Sequence, residues 1–456
     1  MYKKSIFIFT RDFRLEDNVG LLYALKLSKQ VIPIFVFTPE QVNKNTYKSE
    51  NAVQFMCESL QELDANLKAQ GSKLFYFFGT HEKIVQKLIK NNKIDAVFIN
   101  TDYTPYAKKR LKKIIDVCEK QGCAFHTYED YLLNPVGSVL TGSGTPFLKY
   151  TPYFNKAVRK KIVLSIVNKY KSYAPKKTKI AGEFTGDIKK FYTKNKNIEI
   201  NGGRKNGLKI LKKIKNFRDY DENRNMLTYQ TTKLSAYIKF GCISIREAFK
   251  AIKTVKSKDL MRQLYWRDFY YNILYFFPRV FGRALKEKYN KIVWPNNTSY
   301  FEKWKKGQTG FPIVDACMRQ LNTTGFMHNR GRLIVSNFLI KLLLVDWQKG
   351  EKYFAQKLVD YDPAVNNGNW QWSASTGADS QPYFRIFNPW LQSKKFDPNC
   401  EFIKKWVPEL QEVKAADIHK WDVKYKGYKN IKYPKPIINY KKMRVLCLAL
   451  YKKWIY

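Results

Sequence analysis

The chain has 456 residues, which is long for one hydrophobic core and indicates about two domains, or three. Hydrophobic residues make up 45% of it, so its composition excludes global disorder. Lysine and arginine number 83 against 38 acidic residues, a net charge of +45 that favours a polyanionic partner: nucleic acid first, an anionic membrane surface second. A lysine-rich genome would produce much of the same charge, so charge supports nucleic-acid binding without establishing it.

Cysteine usage and the amino terminus indicate the compartment. The 7 cysteines are scattered, at positions 57, 118, 123, 242, 317, 400 and 447. Their odd number and the lack of a Cys-x-x-Cys pair argue against a disulfide framework or a zinc site. The apolar run Ser5 to Phe9 is too short for a signal peptide, and Lys341 interrupts the most apolar later segment. We therefore expect an intracellular protein, cytoplasmic or at the nucleoid or nucleus, that is not secreted and does not enter a membrane.

Residues 1–130 alternate strand-like and helix-like segments. Continuous apolar runs predict buried strands at 5–9, 31–37, 73–78 and 95–100. Buried strands that alternate with helices predict an α/β domain with a Rossmann-like parallel sheet covered on both faces. Such a sheet usually binds a ligand at the carboxyl ends of its strands.

The rest of the chain divides in two. Residues 131–215 are rich in glycine, proline and lysine, which predicts an interdomain connector whose lysines are mostly solvated. Residues 216–456 show helical periodicity and few strand signals, which predicts an all-α domain. The clearest helical windows are 260–277, 312–322, 329–345 and 353–359.

Two segments of the helical region carry residue types that suit a ligand. Hydroxyl groups within residues 231–235 precede a helical run, where they would supply N-caps or hold phosphate, and capping is the simpler reading. One helical face is shared by Gln263, Trp266, Arg267 and Tyr270. An aromatic stripe is usually core, but an amide and a guanidinium fit a dry core poorly, so we interpret this face as ligand-lining.

The densest polar sequence lies at 360–372. It combines Asp360 and Asp362 with several amides and with Trp370 and Trp372, too polar a set for routine packing. Metal ligation is a poor explanation because no histidine or cysteine joins the cluster. A paired-carboxylate hydrolase stays open, but it lacks an evident nucleophile or base partner.

These segments carry a resemblance to the photolyase/cryptochrome family, most of all to the class I photolyases that split cyclobutane pyrimidine dimers. The matching motifs are RDFRLEDN, TTKLSAYIKFG, LYWRDFY, GQTGFPIVDACMRQLNTTGFMHNRGR and YDPAVNNGNWQWSASTGADSQPYFRIFNPWLQSKKFDP. The resemblance spans nearly the whole chain, is weakest in the connector, and is very specific in the last block. It implies an antenna-binding α/β domain (1–130), a connector (131–215) and an all-α domain (216–456) that binds FAD and the DNA lesion.

The resemblance implies which residues of this chain bind FAD. Phosphate contacts are implied for Tyr220, Thr231, Thr232, Lys233, Leu234 and Ser235. Further cofactor contacts are implied for Gln263, Arg267, Asn329, Arg332, Asp360, Tyr361 and Asp362. Asn366 would lie beside flavin N5, where an amide can accept a hydrogen bond from a protonated N5.

The resemblance implies two different roles for tryptophan residues of this chain. Trp370, Trp347 and Trp294 match a chain that carries an electron from the surface to the flavin, although each tryptophan alone is more often core. Trp266 and Trp372 match the aromatic walls of the lesion pocket. A dimer stacks poorly in duplex DNA, so its extrusion costs less than flipping a normal base pair, which takes about a few kcal/mol.

Contacts to the damaged strand are implied for four polar residues. Arg224, Arg267 and Arg330 would lie near the phosphates that flank the lesion, with surrounding lysines adding salt-dependent affinity. Gln263 stands where many dimer photolyases carry a glutamate that hydrogen-bonds the thymines. Leu333 likewise replaces a methionine common at that pocket. Both departures leave substrate preference and repair efficiency open.

Three readings within the family compete: dimer repair, (6-4) photoproduct repair, and cryptochrome-type signalling. Enzymes of the second kind use histidines in the segment equivalent to 328–333, where this chain keeps only His328 and has Asn329 and Leu333 at the diagnostic places. Signalling cryptochromes commonly carry extensions beyond the family block, which is followed here by a short segment to Tyr456. A DASH-like cryptochrome stays open, although the segment 366–372 looks more like the dimer photolyases.

The resemblance implies a light-driven reaction. Reduced FAD would donate an electron to the flipped dimer, so neither a metal nor a general base is required. The α/β domain would hold an antenna pigment, a folate or a deazaflavin, but the residues Asp102–Tyr106 lack an acidic folate-binding pattern and the pigment stays unassigned. The expected partner is DNA that contains pyrimidine dimers, bound by a monomer. A flavin photosensor that binds nucleic acid is the non-enzymatic alternative.

Overall fold

A parallel sheet forms the amino-terminal part of the protein. In the computed structural model, which describes residues 1–43, 45–163 and 165–455, the strands are β1 (Tyr2–Phe9), β2 (Ser28–Phe37), β3 (Phe75–Phe78), β4 (Ala96–Asn100) and β5 (Ala124–Tyr128). Their order is β3-β2-β1-β4-β5, and each neighbouring pair is parallel. The four predicted strands are present. Sequence reasoning missed β5 because this short edge strand is only partly buried and contains His126 and Thr127.

In the central strand β1, isoleucine and phenylalanine side chains lie on opposite faces of the sheet. In β1, Ile6 and Ile8 belong to one core cluster, whereas Phe7 and Phe9 belong to another, as the two-residue repeat of a strand requires. The helices of this part are α1 (Val19–Leu27), α2 (Pro39–Val42), α3 (Glu50–Ala69), α4 (His81–Asn92) and α5 (Pro105–Lys120). Side chains of α4 and α5 cover the isoleucine face, while the phenylalanine face packs on α1, α3 and the helical region.

The connector returns along the sheet before it enters the helical region. It contains α6 (Tyr150–Ala157), α7 (Arg204–Lys212) and a 3-10 turn at Ile188–Phe191. The amide of Val31 in β2 donates to the carbonyl of Ser172 at 2.8 Å, and the amide of Ala174 donates back to Val31 at 2.7 Å. This pairing covers the part of β2 that extends beyond β3, where an open strand edge would otherwise face solvent.

The remainder is helical. Its α-helices are α8 (Tyr220–Asn223), α9 (Ser235–Lys239), α10 (Ile245–Lys253), α11 (Lys258–Phe276), α12 (Thr298–Lys306), α13 (Pro312–Thr324), α14 (Asn329–Asn337), α15 (Trp347–Lys357), α16 (Pro363–Ala374), α17 (Pro389–Phe396), α18 (Glu401–Trp406), α19 (Ala415–Ile418), α20 (Trp421–Lys424) and α21 (Tyr440–Ile455). Short 3-10 segments lie at Ile214–Phe217, Pro278–Val280, Glu287–Lys291, Pro408–Leu410 and Tyr425–Gly427. The predicted fold class, a parallel α/β domain followed by a helical domain, is therefore confirmed.

One predicted helix is divided. The window 329–345 comprises α14 and a π-helical segment, Phe338–Leu342. The helix ends there, and a new helix, α15, begins after its N-cap residue Asp346. Because α15 begins at Trp347, the predicted window 353–359 covers only its second half. Periodicity alone did not reveal where this helix ends, because apolar residues continue beyond its last turn.

A buried charge cluster joins the sheet to the helical region. Arg14 pairs with Asp130 at 2.6 Å, and Arg246 of α10 pairs with Asp130 at 2.7 Å and with Asp17 at 3.0 Å. Buried charges are stable only when each has a partner, so this cluster holds the motif at residues 11–18 in one position against α10.

Two structural observations concern the predictions about disulfides and membrane spans. All seven cysteines are buried thiols without a disulfide. Within the described ranges, no helix combines the length and apolar character needed to cross a bilayer.

Candidate functional site

A cavity of about 500 Å³ lies in the helical domain between α9, α11, α14 and α16. Its volume suits a small-molecule or cofactor site. The predicted cofactor and substrate residues in its wall are Tyr220, Arg224, Thr231, Thr232, Lys233, Leu234, Ser235, Gln263, Trp266, Arg267, Asn329, Arg332, Asp360, Tyr361, Asp362, Asn366, Trp370 and Trp372. Arg330, Trp347 and Trp294 lie outside that wall. The fold thus collects most of the predicted residues around one space, and their individual roles stay predictions.

Asp360 connects two elements of the wall. Arg332 on α14 donates from Nη2 to both carboxylate oxygens, at 2.9 and 3.1 Å, and Ser235 donates from Oγ at 2.6 Å. The predicted capping of α9 by hydroxyl groups is wrong. The N-cap is Leu234, without a side-chain hydrogen bond, and Ser235 is committed to Asp360 instead. This part of the wall is therefore held by side-chain pairing across the cavity.

Asp362 anchors the start of α16. It accepts hydrogen bonds from two backbone amides of that helix at 3.1 and 3.3 Å. The hydroxyls of Tyr271 and Tyr131 also donate to it, at 2.8 and 3.0 Å. Burial raises the pKa of this carboxyl, but the charges of Arg11 and Arg267, with the two tyrosine hydrogen bonds, outweigh burial and hold its pKa below the usual range. Asp362 is therefore an anion at neutral pH.

Cations of the wall are only partly matched by carboxylates. Arg267 donates from Nη1 to the carbonyl of Tyr131 at 2.6 Å, but its Nη2 is buried and finds no hydrogen-bond partner among the described residues. Lys239 of α9 also lines the cavity, and burial together with the charge of Arg11 lowers its pKa to about 7. Sequence reasoning missed Lys239, because nothing in the motif shows which way its side chain turns. A buried guanidinium calls for an anionic partner, and an anion would also restore the proton of Lys239, so the wall suits a ligand that carries phosphate.

The predicted face of α11 lines the cavity and is supported from behind. Tyr150 of α6 stacks on Trp266, with ring centroids 3.7 Å apart and ring planes within 6°. Its hydroxyl donates to the carbonyl of Arg262 at 2.9 Å, which fixes the stack to α11. Gln263, in the same wall, donates from Nε2 to the carbonyl of Asp259 at 3.1 Å. Sequence reasoning missed Tyr150 because it lies in the connector.

The three tryptophans of the predicted electron route differ in exposure. Trp370 lines the cavity and is 2% exposed, and its ring lies 6.3 Å from that of Trp304. Trp347, the first residue of α15, is 3% exposed. Trp294 is half-buried, with its ring 5.9 Å from that of Tyr451. Trp370 and Trp347 are thus both buried, and Trp294 alone of the three has partial access to solvent.

A basic cluster lies beside the cavity. Arg330 donates from Nη2 to Asn225 at 2.6 Å. Burial and the charges of Arg224 and Arg385 lower the pKa of Arg330 to about 10, so both of these guanidinium groups lie close enough to repel that of Arg330. Such a cluster suits a polyanion backbone.

His328 caps a helix and does not line the cavity. Its Nδ1 accepts a hydrogen bond from the amide of Arg330 at 3.1 Å. Burial, with the charges of Arg332 and Arg330, lowers the pKa of His328 to about 4, so the ring is neutral at physiological pH.

Polar groups also meet at the carboxyl ends of β1 and β4, where the strand order reverses. Arg11 pairs there with Asp102 at 2.9 Å. The hydroxyl of Tyr103 and Nε of Arg110 are buried and lack hydrogen-bond partners within the described chain. Parallel sheets of this order bind ligands at such a reversal point.

FAD fits the cavity of the helical domain. Arg267 and Lys239 offer basic groups to a diphosphate, and the apolar side chains of the same wall offer surface to flat rings. Among residues 1–43, 45–163 and 165–455, no three His, Cys, Asp or Glu side chains are placed to hold a metal ion.

Comparisons with known proteins cover both parts of the chain. Residues 5–171 match DNA photolyase, and residues 260–453 match the FAD binding domain of DNA photolyase. The deoxyribodipyrimidine photo-lyase of Alkalihalophilus pseudofirmus is 35% identical, over 97% of this chain and 97% of that protein.

Solved structures show the same relationship. The archaeal photolyase from Sulfolobus tokodaii is 43% identical, with a TM-score of 0.90 over 99% of this chain and 100% of that one. A cryptochrome from Synechocystis sp. PCC6803 is 25% identical, with a TM-score of 0.89 over 99% of both chains. Because these similarities extend over nearly the full length and include the FAD binding domain, the chain belongs to the DNA photolyase family.

Proposed function

We propose that this protein splits cyclobutane pyrimidine dimers in DNA, with light as the energy source and FAD as the cofactor. The observation that carries the proposal is the shared cavity, in which the implied flavin contacts and the implied lesion walls, Trp266 and Trp372, line one space. When bound, reduced FAD supplies the chemistry by absorbing light, donating an electron to the dimer and recovering it after the ring opens. A lesion that enters this cavity would lie next to the cofactor.

The cavity residues would bind and orient FAD. Arg267, whose Nη2 is buried without a partner among the described residues, would pair with its diphosphate. Lys239, whose pKa is lowered to about 7, would gain its proton when that diphosphate binds. Arg332 and Asp360, already paired with each other, would contact its polar edges. Asn366 would present its amide to flavin N5.

The lesion would be held by stacking and by phosphate contacts. The indoles of Trp266 and Trp372 would sandwich the flipped dimer, which recovers part of the cost of extruding it. Arg224 and Arg330, together with the neighbouring Arg385, would bind the flanking phosphates and set the register of the strand. The protein would act as a monomer on intracellular DNA.

We also propose that Trp370, Trp347 and Trp294 pass electrons inward to keep FAD reduced. The partial exposure of Trp294, beside the burial of Trp370 in the cavity wall, supports Trp294 as the end of the route that faces solvent.

An antenna pigment is proposed for the α/β domain, residues 1–130, with 131–215 as connector and 216–456 as the FAD- and lesion-binding domain. The buried polar groups of Tyr103 and Arg110, beside the ion pair of Arg11 and Asp102, support a site at the carboxyl ends of β1 and β4. The Sulfolobus tokodaii photolyase contains two FAD molecules, which imply a novel light-harvesting cofactor. A second flavin therefore joins folate and deazaflavin as a candidate.

A cryptochrome-type photosensor, DASH-like or signalling, is the second candidate function. It is favoured by Gln263, which replaces an expected glutamate, and by the similarity to the Synechocystis cryptochrome. A (6-4) photolyase is disfavoured because His328 caps α14 and does not line the cavity.

A repair assay tests the proposal. Protein with reduced flavin is mixed with an oligonucleotide that contains one thymine dimer, either single-stranded or in a duplex, and is illuminated with blue light. We expect intact thymines to appear only in the light. Binding and photoreduction without recovery of thymines would contradict dimer repair and favour the photosensor, whereas recovery from single strands alone would favour the DASH-like reading.

A further inference from the structure

Two of the seven cysteines are brought together at the end of α5. The amide of Cys123 donates to the carbonyl of Cys118 at 2.9 Å, and the amide of Gly122 donates to the carbonyl of Glu119 at 3.3 Å. Gly122 has a φ of 62°, so the helix ends in a Schellman motif. This motif turns the chain back so that the third-from-last helical residue and the residue after the glycine pack together. Both positions carry a thiol here.

The two thiols share an apolar environment but differ in their access to solvent. Both belong to the core cluster on the isoleucine face of the sheet, where Cys118 is 0% exposed and Cys123 is 7% exposed. The Cys118 thiol donates a hydrogen bond to the Cys123 sulfur, which lowers the pKa of Cys123 against the effect of burial and raises the pKa of Cys118. Burial raises the pKa of the other five cysteine thiols. Of the seven thiols, Cys123 therefore reacts most readily as a thiolate, and a second thiol lies beside it.

We propose that Cys118 and Cys123 form a redox-active dithiol, which hydrogen peroxide closes reversibly to a disulfide. The thiolate of Cys123 attacks one oxygen of the peroxide, the O–O bond breaks, hydroxide leaves, and the sulfur becomes a sulfenic acid. The sulfur of Cys118 then attacks that of Cys123. An S–S bond forms, the S–O bond breaks, and the oxygen leaves as water with the proton of Cys118. In sum the dithiol loses two electrons and two protons, the peroxide becomes two molecules of water, and an external thiol restores the dithiol by exchange.

A small oxidant suits this site because little of the Cys123 side chain is exposed. A sulfenic acid beside a second thiol is converted to a disulfide before more peroxide turns it into a sulfinic acid, which thiols cannot reduce. The dithiol would thus keep oxidation at this point reversible, and its disulfide would tie the end of α5 to the start of β5. The inference goes beyond the proposed function, since it needs neither FAD nor DNA.

The test counts thiols in the full-length wild-type protein, kept in the dark. Reduced and desalted protein is treated with hydrogen peroxide, unfolded, alkylated, and measured by mass spectrometry of the intact chain. We expect the number of alkylated cysteines to fall from seven to five, because one disulfide consumes two, and dithiothreitol to restore all seven. Trypsin cuts after Lys120, between the two cysteines, so the peptides that contain Cys118 and Cys123 should stay joined until reductant is added.

Three variants separate the roles of the two thiols. In Cys118→Ala the sulfenic acid of Cys123 has no second thiol beside it, so dimedone, which traps sulfenic acids, should label Cys123 several-fold more than in the wild type. Cys123→Ala should lose both the disulfide and the label at this site. Cys57→Ala is the matched control, because Cys57 is a buried thiol whose pKa burial raises to about 12. It should form the same disulfide as the wild type.

Two results with the wild type would overturn the inference: all seven cysteines still alkylated after peroxide, or a disulfide that contains any cysteine other than Cys118 and Cys123. Equal dimedone labelling of the wild type and Cys118→Ala would also overturn it, since Cys118 would then resolve no sulfenic acid. The thiol count and the peptide map need no substitution, so they decide the matter even where Cys118→Ala does not fold.

Discussion

At the scale of single residues, Gln263 is the position at which we expect the proposed repair chemistry to be most sensitive to substitution. It lines the cavity beside Trp266 and has one side-chain hydrogen bond, from Nε2 to the carbonyl of Asp259. Its Oε1 therefore stays available to a ligand. An amide at this point can hydrogen-bond a thymine, but it has no acidic proton to share with a thymine that has gained an electron.

We expect Gln263→Glu to raise the quantum yield of dimer splitting. Position 263 is half-buried in the cavity wall, which raises the pKa of a carboxylic acid there and favours its protonated form. The stronger hydrogen bond of that acid would stabilise the thymine radical anion by about 1 kcal/mol more than an amide does. This corresponds to roughly fivefold in the rate of ring opening. The quantum yield, measured with pre-reduced flavin, checks the change. Gln263→Leu, which removes both hydrogen-bonding groups, should lower the yield, and an equal yield in all three proteins would contradict a role for this position.

Trp347 offers a residue-scale test of the electron route. We expect Trp347→Phe to slow flavin photoreduction on the order of tenfold or more, because an added barrier of ~1.4 kcal/mol already has that effect and phenylalanine is far harder to oxidise than tryptophan. Repair by protein whose flavin is already reduced should stay unchanged. Transient absorption after a flash measures the first process. Trp421→Phe, at another buried indole outside the route, is the control, and unchanged photoreduction in Trp347→Phe would refute the assignment.

At the scale of elements, the connector takes part in the site. Helix α6 belongs to a segment with few sequence signals, yet its Tyr150 stacks directly behind Trp266 of α11. An indole that must hold a flipped base works best when its own position is fixed, and the stack supplies that support.

We expect Tyr150→Ala to weaken binding of a dimer-containing oligonucleotide by about 1 kcal/mol, the usual contribution of an aromatic pair. Trp266→Ala should cost roughly 1–3 kcal/mol, since it removes the stacking wall itself. Tyr150→Phe keeps the ring and loses only the hydrogen bond to Arg262, so its affinity should stay close to the wild type. Titration of damaged and undamaged DNA measures all three. Equal affinity of the wild type for both DNAs would overturn the lesion pocket.

At the scale of the whole molecule, the charge of +45 is spread over both domains, but only part of it lies beside the cavity. Arg224, Arg330 and Arg385 form one cluster there. Exposed lysines such as Lys87 and Lys90 lie on α4, in the other domain.

We expect the logarithm of the DNA association constant to fall linearly with the logarithm of salt concentration, because bound phosphates release counterions. The double change Arg330→Ala with Arg385→Ala should reduce the slope by about 2, roughly 1 for each lost phosphate contact. Lys87→Ala with Lys90→Ala removes the same charge from α4 and should leave the slope for lesion DNA unchanged. Equal effects of the two pairs would mean that net charge, not the cluster, drives binding.

Several features follow from the sequence alone because they depend on neighbouring residues. Continuous apolar runs predicted four of the five strands, and helical spacing predicted the ligand-lining face of α11, including Gln263 and Trp266. The motif at 360–372, through its resemblance, predicted the cavity residues Asp360 and Asp362. Chemical type and periodicity are local properties, so they can be read before the chain folds.

Other features were decided only by the tertiary structure. The stack of Tyr150 on Trp266 and the hydrogen bond from Asn366 to Glu351 join residues that no local sequence pattern links. The position of the Lys239 side chain in the cavity wall was likewise not evident from its motif. The end of the π-helical segment before α15 likewise lies inside a continuous apolar pattern. Each of these depends on the direction of a side chain and on what packs against it, and both are set by contacts between distant parts of the chain.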